Sequence, residues 1–283
     1  MIQLTKSFVL GALIFLTVLV FWFVLEKENQ TAQVIFLDVG QGDSQLIVLP
    51  SDIQILIDAG PSADVSAKIS NYLPFYDKDI ELVILSHPHA DHLRGLLSVL
   101  KDYNVKNFMF SGANYESKVY ADFLNTLKAE GSNVYLAEAG DLISYEKDEV
   151  LKILAPFKNT LSKSFKGIHE SMVVSELNLG NKKFLLTGDM DEKLEQDLIA
   201  SYFAKASQDR SNALGDIDVL KVGHHGSKTS TSEALLKIAK PEEAIIQSGR
   251  NSYGHPTPLV LDRLNKFGVK IFRNDQLGDV VYK

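Results

Sequence analysis

One short stretch, residues 84–96, constrains this chain more than any other part of its sequence. It reads ILSHPHADHLRGL and holds three histidines and one aspartate within six consecutive positions, between an apolar run and an amphipathic one. The apolar run predicts a β-strand and the amphipathic run a helix, so the polar residues lie where α/β proteins bind ligands. We interpret them as ligands of two metal ions, rather than as loop residues or a helix cap. The four residues are His87, His89, Asp91 and His92.

Composition limits the kinds of metal site that this chain can build. The 283 residues include seven histidines and no cysteine, so any metal must be bound by imidazole and carboxylate. The formal net charge of −7 argues against nucleic-acid binding over the whole surface. Residues 221–283, however, carry ten Lys or Arg and six Asp or Glu, a local net charge of +4. A local basic groove is therefore expected near the last histidine loops.

The first thirty residues differ from the rest of the chain. Residues 8–25 read FVLGALIFLTVLVFWFVL, without a charge, and are close to the roughly 20 residues that cross a bilayer as a helix. We predict that residues 1–30 are an uncleaved single-pass membrane anchor with a polar tether. The alternative is a cleaved signal peptide, but no small-residue cleavage site is nearby. Lys6 precedes the run and EKE follows it, which places residues 31–283 on the extracytoplasmic side of the cell membrane.

After the tether, β-branched runs alternate with helical patterns. Strands are predicted at residues 34–38, 45–49, 53–58, 83–86, 105–111, 134–136, 150–155, 172–179, 183–187, 219–222 and 244–247. Helices are predicted at residues 63–72, 92–103, 118–130, 191–206, 230–239 and 258–267. We predict one α/β domain over residues 31–283, with about fourteen strands in a mixed sheet or a pair of sheets.

Three further loops after predicted strands carry candidate site residues. Asp189 follows KKFLLTG, where its carboxylate could bridge two cations or, with Glu192, cap the next helix. His224 and His225 follow DVLKVG; adjacent side chains diverge, so we expect one to be a ligand and the other to orient it or face substrate. His255 lies in the turn-rich segment NSYGHPTP. One fold would bring all these loops to a single rim.

Taken in order, these segments resemble a known family. FLDVGQGDS, LIDAG, LSHPHADHLRGL, FLLTGDMD, LKVGHHGSKTS and NSYGHPTP are similar to the metallo-β-lactamase superfamily. Within it they resemble the extracellular hydrolase domain of the ComEC family of DNA-uptake proteins. The resemblance implies a four-layer αββα sandwich with a dinuclear metal site between the edges of two sheets. The roles that it implies are first-metal ligands His87 and His89, second-metal ligands Asp91, His92 and His224, a bridging Asp189, and Asp58 as support behind the ligands.

The chain departs from that family in two respects. The superfamily has another histidine before the bridging aspartate, and the only candidate here is His169 in GIHESMVV, where ComEC-like sequences carry a small polar residue. The first metal would then be under-ligated. ComEC proteins also carry a many-helix channel, whereas this chain has one predicted span. A role in competence would therefore require a channel partner in the membrane.

The expected cofactors are two divalent ions, Zn²⁺ or Mn²⁺, with Fe²⁺ as a further candidate. Such a pair lowers the pKa of a water and stabilises both oxygens of an in-line displacement, which suits phosphate esters. The candidate catalytic residues are Asp91, His225 and His255, the last to protonate a leaving group or bind an oxyanion. The candidate substrate contacts are Lys228, Arg250 and Tyr253.

We predict from these residues a metal-dependent phosphodiesterase or nuclease that acts on DNA. One alternative is a metallo-hydrolase of another ester, such as a phosphocholine, a nucleotide or a lactone. A second is a non-catalytic binding or assembly module. Hydrolysis of β-lactams is the least expected activity, because HHGS and YGHP belong to another branch of the superfamily. The sequence does not determine the oligomeric state.

Overall fold

Strands and helices alternate along the part of the chain that the computed structural model describes, namely residues 2–28, 31–50, 52–145, 148–157, 160–165, 167–206 and 216–283. The strands are β1 (Gln33–Phe36), β2 (Gln45–Leu49), β3 (Ile53–Ile57), β4 (Asp79–Leu85), β5 (Asn104–Phe110), β6 (Asn133–Leu136), β7 (Leu142–Tyr145), β8 (Asp148–Ala155), β9 (Val174–Leu179), β10 (Lys182–Leu186), β11 (Val219–Lys221), β12 (Glu243–Ile246), β13 (Lys270–Arg273) and β14 (Val280–Tyr282). The helices are α1 (Ile2–Glu28), α2 (Val65–Ser70), α3 (Ala90–Leu93), α4 (Leu96–Asp102), α5 (Lys118–Glu130), α6 (Glu192–Ala206), α7 (Glu233–Ala239), α8 (Pro258–Lys266) and α9 (Asn274–Leu277).

These strands form two seven-stranded sheets within the described residues. The first sheet has the order β14-β1-β2-β3-β4-β5-β6, and the second has the order β13-β12-β11-β10-β9-β8-β7. Strands β3 to β6 are parallel to one another, as are β10 to β13, while the other neighbours pair antiparallel. Of the two arrangements that the sequence predicted, a mixed sheet or a pair of sheets, the structure has the pair, and both sheets are mixed.

Alternating side chains along the strands create three apolar layers. In β1, Val34 and Phe36 lie between the two sheets, whereas Ile35 faces the helices that cover the first sheet. Phe36 contacts Phe184 of the second sheet, with ring centroids 6.4 Å apart. Helices α2 to α5 pack on the outer face of the first sheet, and α6 to α8 pack on that of the second. The αββα sandwich implied by the family resemblance is confirmed.

The sequence pattern missed one helix break, three strands and the short helix α9. The helix predicted over residues 92–103 is wrong, because the chain forms α3 and α4 with Gly95 between them. A Cβ at Gly95 would lie 1.8 Å from the carbonyl oxygen of Ala59, so the loop after β3 packs directly on this backbone. Strands β7, β13 and β14 are three or four residues long, too short for a clear period in the sequence.

The N-terminal apolar run forms helix α1, which has 27 residues. The membrane-spanning role predicted for this segment is not supported, because none of the described helices is sufficiently long and apolar to cross a membrane. Residues 29 and 30 of the predicted tether lie outside the described residues.

The loops with the candidate site residues leave the two sheets at one shared edge. Parallel strands β3 and β4 of the first sheet end there, as do β10, β11 and β12 of the second. The carboxyl ends of parallel strands lie side by side, so residues far apart in sequence meet at this edge.

Candidate metal centre

The His-x-His-x-Asp-His segment runs from the end of β4 into α3. His89 is the N-cap residue of α3 and has an extended backbone, with φ −71° and ψ 150°. No side chain caps this helix, so the structure does not support a capping role for Asp91. His87 and His92 are buried, whereas His89 and Asp91 are partly exposed. The segment therefore presents two buried and two accessible ligand groups.

Asp189 follows β10 and precedes α6 without capping it. The backbone N–H of Leu194 in the first turn of α6 donates to Oδ1 of Asp191 at 3.0 Å. Asp191, rather than Asp189, therefore caps the helix, and the capping alternative for Asp189 is wrong.

The Asp189 carboxylate instead lies among imidazole rings. Its Oδ1 is 3.2 Å from Nε2 of His92 and 3.4 Å from Nε2 of His225. Its Oδ2 is 3.6 Å from Nε2 of His87 and 3.6 Å from Nε2 of His224. Asp189 thus lies at the centre of the site, with histidines from both sheets around it.

His224 and His225 diverge because both adopt left-handed backbone angles. Their φ and ψ values are 47° and 48° for His224 and 54° and 20° for His225, a conformation that is uncommon for residues other than glycine. It turns His225 into the interior, where its side chain is 1% exposed and Nε2 is 3.3 Å from Oδ2 of Asp91. His224 turns toward the mouth of the site and is 28% exposed.

Among the groups of possible ligand atoms, two share Asp189. In each group the atoms all lie within 4.8 Å of one another. The first cluster is His87, His89, His169 and Asp189. The second cluster is Asp91, His92, Asp189 and His225.

Two members of these clusters differ from the set implied by the family resemblance. His225 takes the place expected for His224, because the left-handed backbone turns His225 inward. His169 lies in a 3₁₀ turn at Ile168–Ser171, with its ring centroid 5.3 Å from that of His87 and 5.1 Å from that of His89. It therefore lies beside the two histidines that the resemblance assigns to the first metal.

The atoms that face the two clusters fit divalent cations. Five of them are buried and have no hydrogen-bond partner among the described residues: Nε2 of His87, His92, His169 and His225, and Oδ1 of Asp189. Buried polar atoms are ordinarily paired, since an unsatisfied one costs about 1–3 kcal/mol. Imidazole and carboxylate are also the ligands that Zn²⁺, Mn²⁺ and Fe²⁺ accept. Both the position and the chemistry of these atoms suit two ions.

Asp58 lies directly behind His92. Its Oδ2 is 2.7 Å from Nδ1 of His92 and accepts a hydrogen bond of 2.6 Å from the Ser86 hydroxyl. Its Oδ1 accepts from the Ser86 backbone N–H at 2.8 Å. These contacts fix the His92 ring with Nε2 toward Asp189, which is how supporting carboxylates orient metal-binding histidines.

Sequence reasoning missed the equivalent support behind His225. Its Nδ1 is 2.9 Å from the Gln247 carbonyl oxygen and 3.2 Å from Oδ1 of Asp43, and Asp43 forms an ion pair with Lys221. A carbonyl oxygen only accepts, so Nδ1 carries the proton and Nε2 is left to face the cluster. The available signal was a lysine inside the apolar strand VLKV.

Burial keeps the histidines of the first cluster neutral. It lowers the pKa of His87 well below the ordinary value, and the neighbouring His92 lowers it further. Burial also lowers the pKa values of His89 and His169. Their nitrogens are therefore available as ligands at neutral pH.

In the second cluster, carboxylates outweigh burial. Although burial disfavours the imidazolium, Asp189 and Asp58 raise the pKa of His92 well above its ordinary value. Burial likewise opposes charge on His225, but Asp189 and Asp43 raise its pKa to about 9. In the metal-free protein the two imidazole rings therefore stay protonated, and their positive charges balance the neighbouring carboxylates.

The mouth of the site contains the remaining predicted residues. The ring of His255 lies 5.6 Å from that of His224 and 5.7 Å from that of Tyr253, which is 72% exposed. Asn251, which sequence reasoning also missed, accepts from the backbone N–H groups of Tyr253 and His255 at 3.0 Å each. Lys228 and Arg250 are exposed on the two loops that flank this mouth.

Residues 37–250 match the family model described as the metallo-β-lactamase superfamily. The chain belongs to this superfamily. Within it, the chain is similar to ComE operon protein 3 of Bacillus subtilis, with 28% identity over 288 residues that cover 94% of this chain and 35% of the relative. It is also 35% identical to Recombination protein 2 of Haemophilus influenzae over 248 residues, which cover 86% of this chain and 27% of the relative. The chain thus spans about a third of the length of the curated relatives it matches.

Solved structures of low sequence identity share the fold. The metallo-β-lactamase fold protein YhfI from Bacillus subtilis superposes with a TM-score of 0.53 at 13% identity, covering 89% of this chain and 99% of that one. CmlA, a diiron β-hydroxylase from Streptomyces venezuelae, superposes with a TM-score of 0.55 at 12% identity, covering 90% of this chain and 54% of that one. At these identities the likeness concerns the fold alone.

Proposed function

We propose that residues 31–283 form a metal-dependent phosphodiesterase domain that hydrolyses DNA. The observation that carries this proposal is the position of Asp189, whose carboxylate belongs to both ligand clusters. A shared carboxylate suits two cations that act together on one phosphodiester.

Each ion would have three ligands of its own in addition to Asp189. The first would be held by His87, His89 and His169, and the second by Asp91, His92 and His225. When bound, a pair of divalent ions supplies an activated water and stabilises the charge on the attacking and leaving oxygens.

His255 would donate a hydrogen bond to a substrate oxygen at the mouth of the site. Burial, together with nearby His225, lowers the pKa of His255, so its imidazole is neutral at neutral pH. A neutral imidazole still donates from one ring nitrogen, which favours oxyanion binding over proton donation to a leaving group. Asn251 holds the His255 backbone, because its Nδ2 donates to the His255 carbonyl oxygen at 2.7 Å.

DNA is the proposed substrate for three reasons. Residues 221–283 carry a net charge of +4, and exposed Lys228 and Arg250, close in sequence to His225 and His255, offer cationic groups to a phosphate backbone. The relatives include proteins named for competence and for recombination. Exposed Tyr253 offers a face on which a base can stack.

The predicted membrane anchor is not supported by the structure, so the proposed function is hydrolysis by residues 31–283 without a stated position relative to a membrane. A role in DNA uptake would further require a partner that forms a membrane channel. That step rests on the resemblance to the longer competence proteins.

The test is hydrolysis by the purified protein after metal removal and reconstitution. Single-stranded DNA, double-stranded DNA and bis-p-nitrophenyl phosphate would be incubated with protein loaded with Mn²⁺ or with Zn²⁺. We expect cleavage that depends on metal and disappears with chelator. Asp189→Asn protein, purified identically, controls for a contaminating nuclease.

A protein that binds two ions and cleaves none of the three substrates would overturn the proposal. Parallel assays on a phosphocholine ester, a nucleotide and a lactone would then identify which alternative ester, if any, is hydrolysed.

A further inference from the structure

A buried ion pair joins the two sheets directly below the second cluster. Lys221 is the last residue of β11 in the second sheet, and Asp43 lies in the loop between β1 and β2 of the first. Nζ of Lys221 contacts Oδ2 of Asp43, and both side chains are 0% exposed. Burying two charges carries a desolvation cost that the attraction between them often fails to recover. Stability alone is therefore a weak explanation for this pair.

Asp43 contacts the second cluster through both its side chain and its backbone. Its Oδ1 lies 3.2 Å from Nδ1 of His225. Its backbone N–H donates to the carbonyl oxygen of Asp91 at 3.4 Å, and its carbonyl oxygen accepts from the Gly60 N–H at 2.8 Å. One residue thus connects two members of the second cluster to the loop that follows Asp58.

Lys221 connects the same pair to Asp189. Its Nζ donates to the carbonyl oxygen of Gly188, the residue before Asp189, at 3.1 Å. Its own carbonyl oxygen accepts from the Thr187 hydroxyl at 2.7 Å. The ammonium therefore holds the loop that carries the shared carboxylate.

The three histidines of the first cluster lack these contacts within the described residues. Across the described ranges, no hydrogen bond or ion pair links Asp43 or Lys221 to His87, His89 or His169. The pair reaches the first cluster only through the loop of the shared Asp189, so a larger effect on metal binding is expected at the second cluster than at the first.

We propose that Asp43 and Lys221 are positioning residues for the second metal ion. The Gln247 carbonyl oxygen accepts from Nδ1 of His225 at 2.9 Å, and the Asp43 carboxylate, 3.2 Å from the same nitrogen, increases the basicity of the ring toward a cation, as carboxylates behind metal-binding histidines do. Lys221 balances the Asp43 charge and holds the Asp189 loop. This inference rests on the proposed dinuclear centre.

The test measures metal binding to the full chain, with Mn²⁺ as the probe. Wild type is compared with Lys221→Met, Asp43→Asn, and the double variant Asp43→Asn/Lys221→Met. The double variant removes both charges, so it leaves no unpaired charge in the interior. Calorimetry gives the two affinities, and electron paramagnetic resonance reports whether two Mn²⁺ ions are magnetically coupled.

We expect the second ion to bind about 10–100-fold more weakly in the double variant, the usual effect of losing a supporting residue. The first ion should bind within about threefold of wild type, and the coupled signal should be lost at the metal concentration that saturates wild type. The single variant Lys221→Arg should bind the second ion with an affinity close to that of wild type, because a guanidinium keeps both the charge and the donors.

A matched control is Glu176→Gln/Lys183→Met. These residues form a lysine–carboxylate pair at 3.9 Å in the same sheet, and Lys183 lies near the opposite end of β10 from Asp189. Removal of this pair should leave the Mn²⁺ affinities of both metal sites unchanged.

The outcomes separate the inference from the proposed function. Wild type that binds fewer than two Mn²⁺ ions would overturn the dinuclear centre itself. Suppose instead that wild type binds two ions. The positioning role would then be overturned if the double variant keeps its second-site affinity, or if it loses affinity equally at both sites. If the double variant does not fold, the same two affinities are measured for Asp43→Asn and judged in the same way. The amide oxygen of this variant can still accept from Lys221.

Discussion

The two clusters share Asp189 but differ in what lies behind their histidines. In the second cluster each imidazole has a carboxylate on its far nitrogen, Asp58 behind His92 and Asp43 behind His225. In the first cluster, the partner of His87 Nδ1 among the described residues is the Ser86 hydroxyl, at 3.1 Å, rather than a carboxylate. Supporting carboxylates fix ring orientation and strengthen metal binding. The second cluster is therefore the better organised site, and we expect it to fill first.

The same difference separates the clusters electrostatically. The first has three histidines and one carboxylate, and burial keeps its imidazoles neutral. The second has two carboxylates among its ligands and retains protons when no cation is present. Only the second site must therefore release protons to bind a metal.

Asp189→Asn should have the largest effect, because it removes the one group common to both clusters. Turnover should fall by orders of magnitude and both ions should bind more weakly. The metal-free protein should remain folded, since His92 and His225 can lose the protons that the carboxylate retains. Steady-state hydrolysis and metal analysis measure these effects.

Asp191→Ala is the matched control two residues away. It removes the cap of α6, so it should lower stability by about 1 kcal/mol and leave turnover intact. Near-normal turnover in Asp189→Asn at saturating metal would mean that the centre of the site has been misassigned.

His225→Gln and His224→Gln should differ in metal content. Loss of His225 removes a ligand of the second cluster, so the second ion should bind at least about tenfold more weakly. Loss of His224 should lower turnover while both ions remain bound, because His224 faces the mouth. Calorimetric titration with Mn²⁺ separates the two, and the reverse pattern would restore His224 as the ligand.

Metal affinity should depend on pH at one site only. The pKa of His225 in the metal-free protein is raised to about 9, so below that pH a cation must displace a proton. Second-site affinity should therefore rise as pH increases toward about 9, by about tenfold per pH unit for each displaced proton. First-site affinity should stay nearly constant above neutral pH, because the pKa values of His87, His89 and His169 are lowered.

Titration in buffers of different ionisation enthalpy counts the released protons. Proton release that is equal at the two sites would remove the electrostatic distinction between them.

The smallest expected effect concerns the mouth, which lies outside both clusters. Tyr253→Ala should raise KM for DNA several-fold, in line with the roughly 1–3 kcal/mol of a base–aromatic contact, and leave kcat nearly unchanged. Hydrolysis of bis-p-nitrophenyl phosphate, which has no base, should not change. An equal loss on both substrates would assign Tyr253 a structural role instead.

The sequence predicted the rim of the site because each loop follows an apolar strand. Asp91, Asp189 and His255 could be placed there from local patterns alone, and the αββα layers followed from the family resemblance. His169 could not be placed, because it lies in a 3₁₀ turn rather than at a strand end. The choice between His224 and His225 depended on two left-handed residues that no local pattern indicates.

Asp43 and Lys221 show a different limit of sequence reasoning. They are 178 positions apart, and although they lie in the segments FLDVGQGDS and LKVGHHGSKTS, no local pattern assigns either of them a role. Their pairing depends on how the two sheets pack. A buried lysine in an apolar strand predicts a buried partner but does not identify it.

The central claim is that two cations share Asp189, and anomalous diffraction from crystals of the Mn²⁺-loaded protein tests it most directly. We expect two anomalous peaks on either side of the Asp189 carboxylate. One should lie among His87, His89 and His169, and the other among Asp91, His92 and His225. A single peak at full metal occupancy, or two peaks that do not both contact Asp189, would contradict the claim.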